Sequence, residues 1–473
     1  LEHLVDQSLL QVADTPTGTR FRMLETVREF STVRREAAGE TDQVVGRFLS
    51  WARDFGVAHH ESPFGADPYS SVQRIRAEQD NLVQALRHAL AHADGGTVAA
   101  TSAVLGGLWT VESNYPRLVA LAEETARVLS HFRPPPDLVE VTRTTLTLCT
   151  ALPFLIQGPR AMRSLVALRR LPPAPPDTLA VAIVLDAASE DRSAVQVLCD
   201  SDEPLVAGAA SSIVSYLLED QGDFDGALKA ARRTLEAFEH RVPWLQALAH
   251  GRISELCMQV EQGDEAQRHL MAALPVLEKL GAWSDLVGTQ WWMVLANLQT
   301  GAIDEAEHWL EQTAPHQADE PVGALTYGLG VRAEILLARG EVEAGLRLWR
   351  RAVDLLTNAK GPIFGIDMDP GGEPWTLEAR AVAVVAHAQH RRVDLVEEIA
   401  GELPHQLSAW LTNPVATPYI VEFPICGAVL LALAMVDLDR GARAGDERAT
   451  RWGARMVALA ERLRFLRNFQ PTM

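Results

Sequence analysis

The stretch DMDPGGEPWTLE at 367–378 puts Asp367, Asp369, Gly372 and Glu378 at positions one, three, six and twelve of a calcium loop. That spacing could wrap a hard cation in oxygen ligands. Position five, however, is Gly371, which has no side-chain ligand, and Pro370 stiffens position four. The preceding KGPIFGI cannot supply an entering helix. The stretch reads as an acidic, glycine-rich connection that caps a helix starting near Glu373. His88 and His92 stand four apart with Asp94 nearby, a spacing that can hold zinc on a helix. No third ligand follows, and no glutamate separates them as in H-E-x-x-H. His59-His60 is a weaker pair. There is no G-x-S-x-G elbow and no spaced Ser/His/Asp set. Acidic pairs such as Glu123-Glu124 and Glu397-Glu398 read as solvated helix faces. The expectation is a chain that is not an enzyme, with no catalytic, cofactor-binding or metal-binding residues.

Composition narrows the partners. The 473 residues carry a formal net charge of -19, with 62 acidic against 43 basic side chains. Duplex affinity comes mainly from neutralised phosphates, so direct nucleic-acid binding is not expected. Cys149, Cys199, Cys257 and Cys426 are isolated in apolar segments, which excludes a C-x-x-C pair and suits a reducing, cytoplasmic setting. The longest apolar run, ICGAVLLALAMV at 425–436, is too short to span a bilayer. It reads as a buried helix, and no membrane partner is expected.

The elements that would position any site are nearly all helical. In 42–58, Val45, Leu49 and Ala52 share a face; in 68–90, Ile75, Leu82, Leu86 and Leu90 form a stripe behind Pro68. LPPAPPD at 171–177 is a stiff connector between helical blocks. Beyond it, four segments look alike, with turn glycines Gly222, Gly263, Gly301 and Gly340 at spacings of 41, 38 and 39 residues. Recurrent helix–glycine turn–helix units are the mark of an α-solenoid. Val287, Trp291, Val294, Leu295 and Leu298 form a stripe wide enough for a partner helix and a neighbouring repeat.

The spacing inside these units resembles tetratricopeptide repeats. A small residue five after the glycine is met by Ala227, Ala306 and Gly345. A bulky residue nine after is met by Leu310 and Trp349 but not Ala231, and a small one twelve after by Thr234, Thr313 and Ala352. The repeat at Gly263 is two residues out of step. The expected fold is an all-α superhelix, a degenerate tetratricopeptide-like solenoid, preceded by a small winged-helix remnant with one β-hairpin. Its expected parts are 1–38 (partial winged helix), 39–95 (connecting helices), 96–200 (irregular hairpins) and 201–473 (repeats). Carried over from the repeat family, the concave wall gives a candidate groove of Tyr216, His250, Ile253, Trp291, Leu295, Tyr327 and Glu334. That wall looks mostly apolar, suited to a small apolar ligand, a hydrophobic segment or closure by the chain's own helices.

LVDQSLL followed by a hairpin and FRMLETVREF resembles the end of the winged helix that follows the nucleotide-binding domain of large signalling (STAND) ATPases. RAEQDNLVQALRHAL at 76–90 resembles the first helical segment beyond it, and FLRNFQPTM resembles a stretch inside the sensor region of antibiotic-regulatory-protein-type (AfsR/SARP-like) transcription regulators. The resemblance implies a fragment lacking the ATPase and DNA-binding domains, and no G-x-x-x-x-G-K-[ST] loop occurs. Its implied role is a regulatory sensor that binds a ligand, a protein partner or the parent protein's own ATPase domain. The alternative is a free-standing tetratricopeptide-type interaction scaffold.

Overall fold

Helix α1 (Glu2–Asp6) leads into an antiparallel hairpin, β1 (Leu10–Thr15) and β2 (Gly18–Met23), with Leu10 opposite Met23, and then α2 (Glu25–Ala37). The computed structural model describes residues 1–15, 18–157, 162–174, 184, 192–313, 322–358, 374–412, 422–465 and 467–473. A two-stranded hairpin is marginal by itself, and in this one Leu10 is buried while Phe21 stays exposed, as do Phe30 and Val33 of α2. It is anchored by Arg20, whose guanidinium donates to the Ala77 carbonyl at 2.8 Å and to Glu78 at 2.6 Å.

Next come α3 (Thr41–His59), α4 (Tyr69–Ala91), α5 (Gly95–Val111), α6 (Tyr115–Leu129), α7 (Val139–Gln157) and α8 (Met162–Arg169). The sequence of α5, GGTVAATSAVLGGLWTV, has no charged residue, and every residue of it is buried. Two of its hydroxyls are satisfied locally, Thr101 by the Thr97 carbonyl and Thr110 by the Gly106 carbonyl. Gly56 of α3 permits backbone contact with α5, because a Cβ there would stand 2.3 Å from the Ala100 carbonyl oxygen.

The repeats run through α9 (Arg192–Leu198), α10 (Pro204–Asp220), α11 (Phe224–Phe238), α12 (Pro243–Gln259), α13 (Gly263–Leu280), α14 (Trp283–Gln299), α15 (Ile303–Thr313), α16 (Val322–Ala338) and α17 (Val342–Thr357). They continue in α18 (Pro374–Gln389), α19 (Glu397–Thr412), α20 (Glu422–Ala444) and α21 (Glu447–Arg462). The chain is an all-α superhelix of stacked hairpins, with β1–β2 its single sheet among the described residues. The array curls until α20 touches α10. The first block docks on α13 and α14 through Arg76 to the Leu280 carbonyl (2.9 Å) and Tyr115 to Asp285 (2.6 Å). One core runs from Ala52 through α5 to Leu286. The apolar run at 425–436 lies within α20, and no helix among the described residues is long and apolar enough to cross a membrane.

One local device repeats. Gly222, Glu261, Gly301 and Gly340 take left-handed backbone, with φ of 77, 60, 79 and 80°. In each case the next residue donates its N–H to the carbonyl five back: Asp223 to Leu218, Gln262 to Cys257, Ala302 to Asn297 and Glu341 to Leu336, all at 2.8 Å. This Schellman closure satisfies carbonyls orphaned at the helix end. The turn residue of the second repeat is therefore Glu261, and Gly263 is already helical. Counted from Glu261, Ala266, Leu270 and Ala273 take the small, bulky and small places, and all three are buried. The apparent two-residue slip was a turn without its glycine.

Gly301 needs its left-handed angle and has open space where a Cβ would stand. Gly301→Val should therefore destabilise through backbone strain alone, by about 1–2 kcal/mol, read as a lower urea midpoint at unchanged slope.

Candidate functional site

Register decides what faces the inside of the superhelix. Tyr216 of α10 lies beneath the Arg252 guanidinium, 3.9 Å from its ring centre. His250 turns toward its own hairpin partner, Nδ1 to Nδ1 of His269 at 2.8 Å. Ile253 and Leu295 are fully enclosed in the repeat core, and Trp291 is nearly so. Tyr327 falls in α16, with its side chain outside the described residues. Glu334 is fully buried and reaches the interior. Counting from Glu261 instead of Gly263 puts Leu248 and Gly251 in the places given to His250 and Ile253.

Of the groove residues read from sequence, Glu334 is the one that meets an unforeseen occupant. After α21 the chain turns back and threads residues 467–473 between α12, α16, α17 and α18. The Arg467 backbone N–H donates to Gln259 Oε1 at 2.7 Å. The Asn468 side chain accepts from Gln259 Nε2 and donates to Glu378 Oε1 at 2.8 Å. Phe469 sets its ring edge-on to Trp349, with centroids 4.9 Å apart at 82°. Thr472 gives its backbone N–H to Glu334 Oε2 at 2.9 Å and its hydroxyl to Oε1 at 2.7 Å. The Trp349 indole N–H completes the set on Oε1 at 2.7 Å. Gln389 caps the Thr472 carbonyl at 2.8 Å. At the mouth, Arg467 pairs with Glu261 and Glu461, at 2.6 and 2.7 Å.

The sequence positions this arrangement simply. Gly330, one turn before Glu334, leaves room for two rings: a Cβ there would stand 2.8 Å from Trp349 and 3.0 Å from Phe469. Gln259 sits at the end of α12, where it can read a backbone N–H and a side-chain amide at once. Beside the channel, Arg252 binds Glu219 at 2.6 Å, Glu255 at 2.8 Å and the Ser215 hydroxyl at 3.1 Å, fastening α12 to α10. Burial works against the Arg252 charge, but the two carboxylates outweigh it and hold the guanidinium protonated.

The channel wall is therefore more polar than the apolar groove read from sequence. Gln259, Glu378 and the 467–473 segment escaped that reading. A signal for the acids existed: Glu334 in GLGVRAEILLA and Glu378 in PWTLEARAVAVV are carboxylates inside apolar helical runs, and both are buried. The first part of the calcium-like stretch, 367–373, lies outside the described residues, while Glu378 is spent on Asn468. His88 and His92 stack their rings 4.2 Å apart, and Asp94 caps α5 through the Thr97 N–H and hydroxyl. Among the described residues no three His, Cys, Asp or Glu side chains gather to hold a metal ion. The thiols of Cys149 and Cys257 are pushed up to about 12 by burial, far from a nucleophile's range.

Burial pushes Glu334 and Glu378 up to about 7 from 4.5, against the hydrogen bonds that favour their charge. At these two carboxyls the folded chain holds more protons than the unfolded chain between about pH 4.5 and pH 7, and their contribution to stability is lost as pH rises through that window. His250 and His387, which burial lowers to about 4, work the other way up to about pH 6.5, so the urea midpoint should fall between about pH 6.5 and pH 8. The fall should shrink in Glu378→Gln, which still accepts from Asn468.

No known protein family matches the chain, and no curated protein is similar to it. Among solved structures it is similar to a Rap protein complexed with competence and sporulation factor, at 10% identity and a TM-score of 0.45, over 76% of this chain and 98% of that one. It is similar to the same degree to the apo form of RapI, at 10% identity and a TM-score of 0.45, over 75% of this chain and 95% of that one.

Proposed function

We propose that the channel between α12, α16, α17 and α18 is a binding site for extended polypeptide, and that the chain is a regulatory interaction scaffold without catalysis of its own. The observation that carries this reading is the seating of residues 467–473. The segment is held by side-chain capture at Asn468 and Thr472, by a ring contact at Phe469, and by donors on its own backbone. These are the elements of peptide recognition: main-chain hydrogen bonds for affinity and side-chain pockets for choice. A wholly apolar ligand fits less well. It would leave Gln259 and Glu378 buried without the partners that the segment supplies and Glu334 with the Trp349 indole alone, at a cost of about 1–3 kcal/mol for each unpaired group.

Such a site regulates only if its occupant distinguishes two states of the array. With α20 in contact with α10, a filled and an emptied interior would be the two arrangements to distinguish. Within a longer regulator of the antibiotic-regulatory-protein type, that difference would bias the docking of a neighbouring ATPase domain. In a free-standing scaffold it would set the choice of protein partner. A P-loop ATPase encoded upstream in the same frame favours the first.

A random-peptide display selection on the full chain tests the binding reading, with counter-selection on Glu334→Lys. The expected result is a set of clones that bind the native chain and lose about tenfold or more on the variant, the size of a lost charge-assisted hydrogen bond. Clones that ignore the variant, or no clones at all from the native chain and from Asn468→Ala/Phe469→Ala alike, would overturn it.

A further inference from the structure

The segment that fills the channel has a sequence of its own, and the channel reads it. The Asn468 carboxamide is recognised in both directions, its oxygen by Gln259 and its NH2 by Glu378. An Asp in its place would present a carboxylate to the Glu378 carboxylate, and a Leu would leave the Gln259 Nε2 and the Glu378 carboxyl without their partner. The Phe469 ring stands against Trp349 in the space that Gly330 keeps clear. Thr472 satisfies both oxygens of Glu334, one by hydroxyl and one by backbone. Asn468, Phe469 and Thr472 are each at most 4% exposed. The capture is therefore desolvated, where hydrogen-bond mismatches discriminate most strongly.

We infer that residues 467–473 are a built-in competitor for this channel, and that the external partner is an extended peptide presenting asparagine, then an aromatic residue, then threonine three places later. The inference rests on the reading of the channel as a polypeptide site. It adds the identity of the occupant in the unbound state and the chemistry of its replacement. The covalent attachment of the segment gives it a high effective concentration. An external peptide of equal contacts therefore binds weakly until the segment is loosened. The acidic mouth formed by Glu261 and Glu461, which now holds Arg467, further favours a basic residue immediately before the asparagine.

The test titrates a fluorescent peptide of sequence RFLRNFQPTM into the native full chain and into the full-length double variant Asn468→Ala/Phe469→Ala, read by anisotropy. The expected result is at least tenfold tighter binding to the double variant, with circular dichroism showing unchanged helix content. Peptides with Asn changed to Asp, or Thr changed to Val, should bind the double variant at least tenfold more weakly than the parent peptide. Equal binding of the parent peptide to native and variant chains would overturn the competition. Equal binding of all three peptides would overturn the recognition rule. Should the double variant unfold, Thr472→Val removes a single hydroxyl and reads the same competition, with a gain of at least threefold expected. Displayed peptides that bind native and loosened chains alike would remove the built-in competitor while leaving the channel's function intact. No peptide binding to any chain would remove both.

Discussion

A helical hairpin has more apolar surface than its two helices can hide from each other, and the whole molecule follows from that imbalance. In α14, Val287, Val294 and Leu295 pack into a core shared with residues from α11 to α18. No single repeat owns this core. Stacking covers the excess in one direction, and the regular turn sets the angle at which each hairpin meets the next. The stack brings α20 back into contact with α10. Curvature then creates a second problem, an interior lined by the inner faces of many helices. The protein answers it with polar side chains and a strand of its own backbone.

The electrostatics of that interior follow from the geometry. Three buried acceptors, Gln259, Glu334 and Glu378, would each be costly if left facing apolar neighbours. Each finds its donor in the segment that enters after α21, and the indole of Trp349 supplies one more. The segment and the wall are therefore interdependent. Without the wall the segment is a short stretch of unpartnered polar groups, and without the segment the wall holds unsatisfied groups. Arg252 plays a comparable part between α10 and α12, but its partners all belong to the array, so that clamp is permanent.

Much of the fold was legible because its determinants are local. Gly222, Gly301 and Gly340 mark turns that need a left-handed residue, and the small–bulky–small columns follow at fixed distance from Gly301 and Gly340, with Ala231 replacing the bulky residue after Gly222. Glu261 hid the fourth turn, because a glutamate carries no sign of positive φ, and the displaced count then misdirected the groove toward His250 and Ile253. The occupant was illegible for a different reason. Asn468 meets Gln259 across 209 positions and Thr472 meets Glu334 across 138. No periodicity connects residues that far apart. The hairpin near the start was expected from the resemblance carried by LVDQSLL and FRMLETVREF. Its attachment to α4 through Arg20 was not, since a single exposed-looking arginine has many possible partners.

The order in which the chain is made gives the wall and its filling different birthdays. Gln389 closes the last wall that the segment touches, and Arg467 follows 78 residues later in the sequence. At ribosomal speeds of about 5–20 residues per second, that interval lasts on the order of 4–16 s. For those seconds a nascent array can present finished readers with nothing yet attached to compete for them. A ligand met at that moment faces an open seat, whereas one met later must evict a resident.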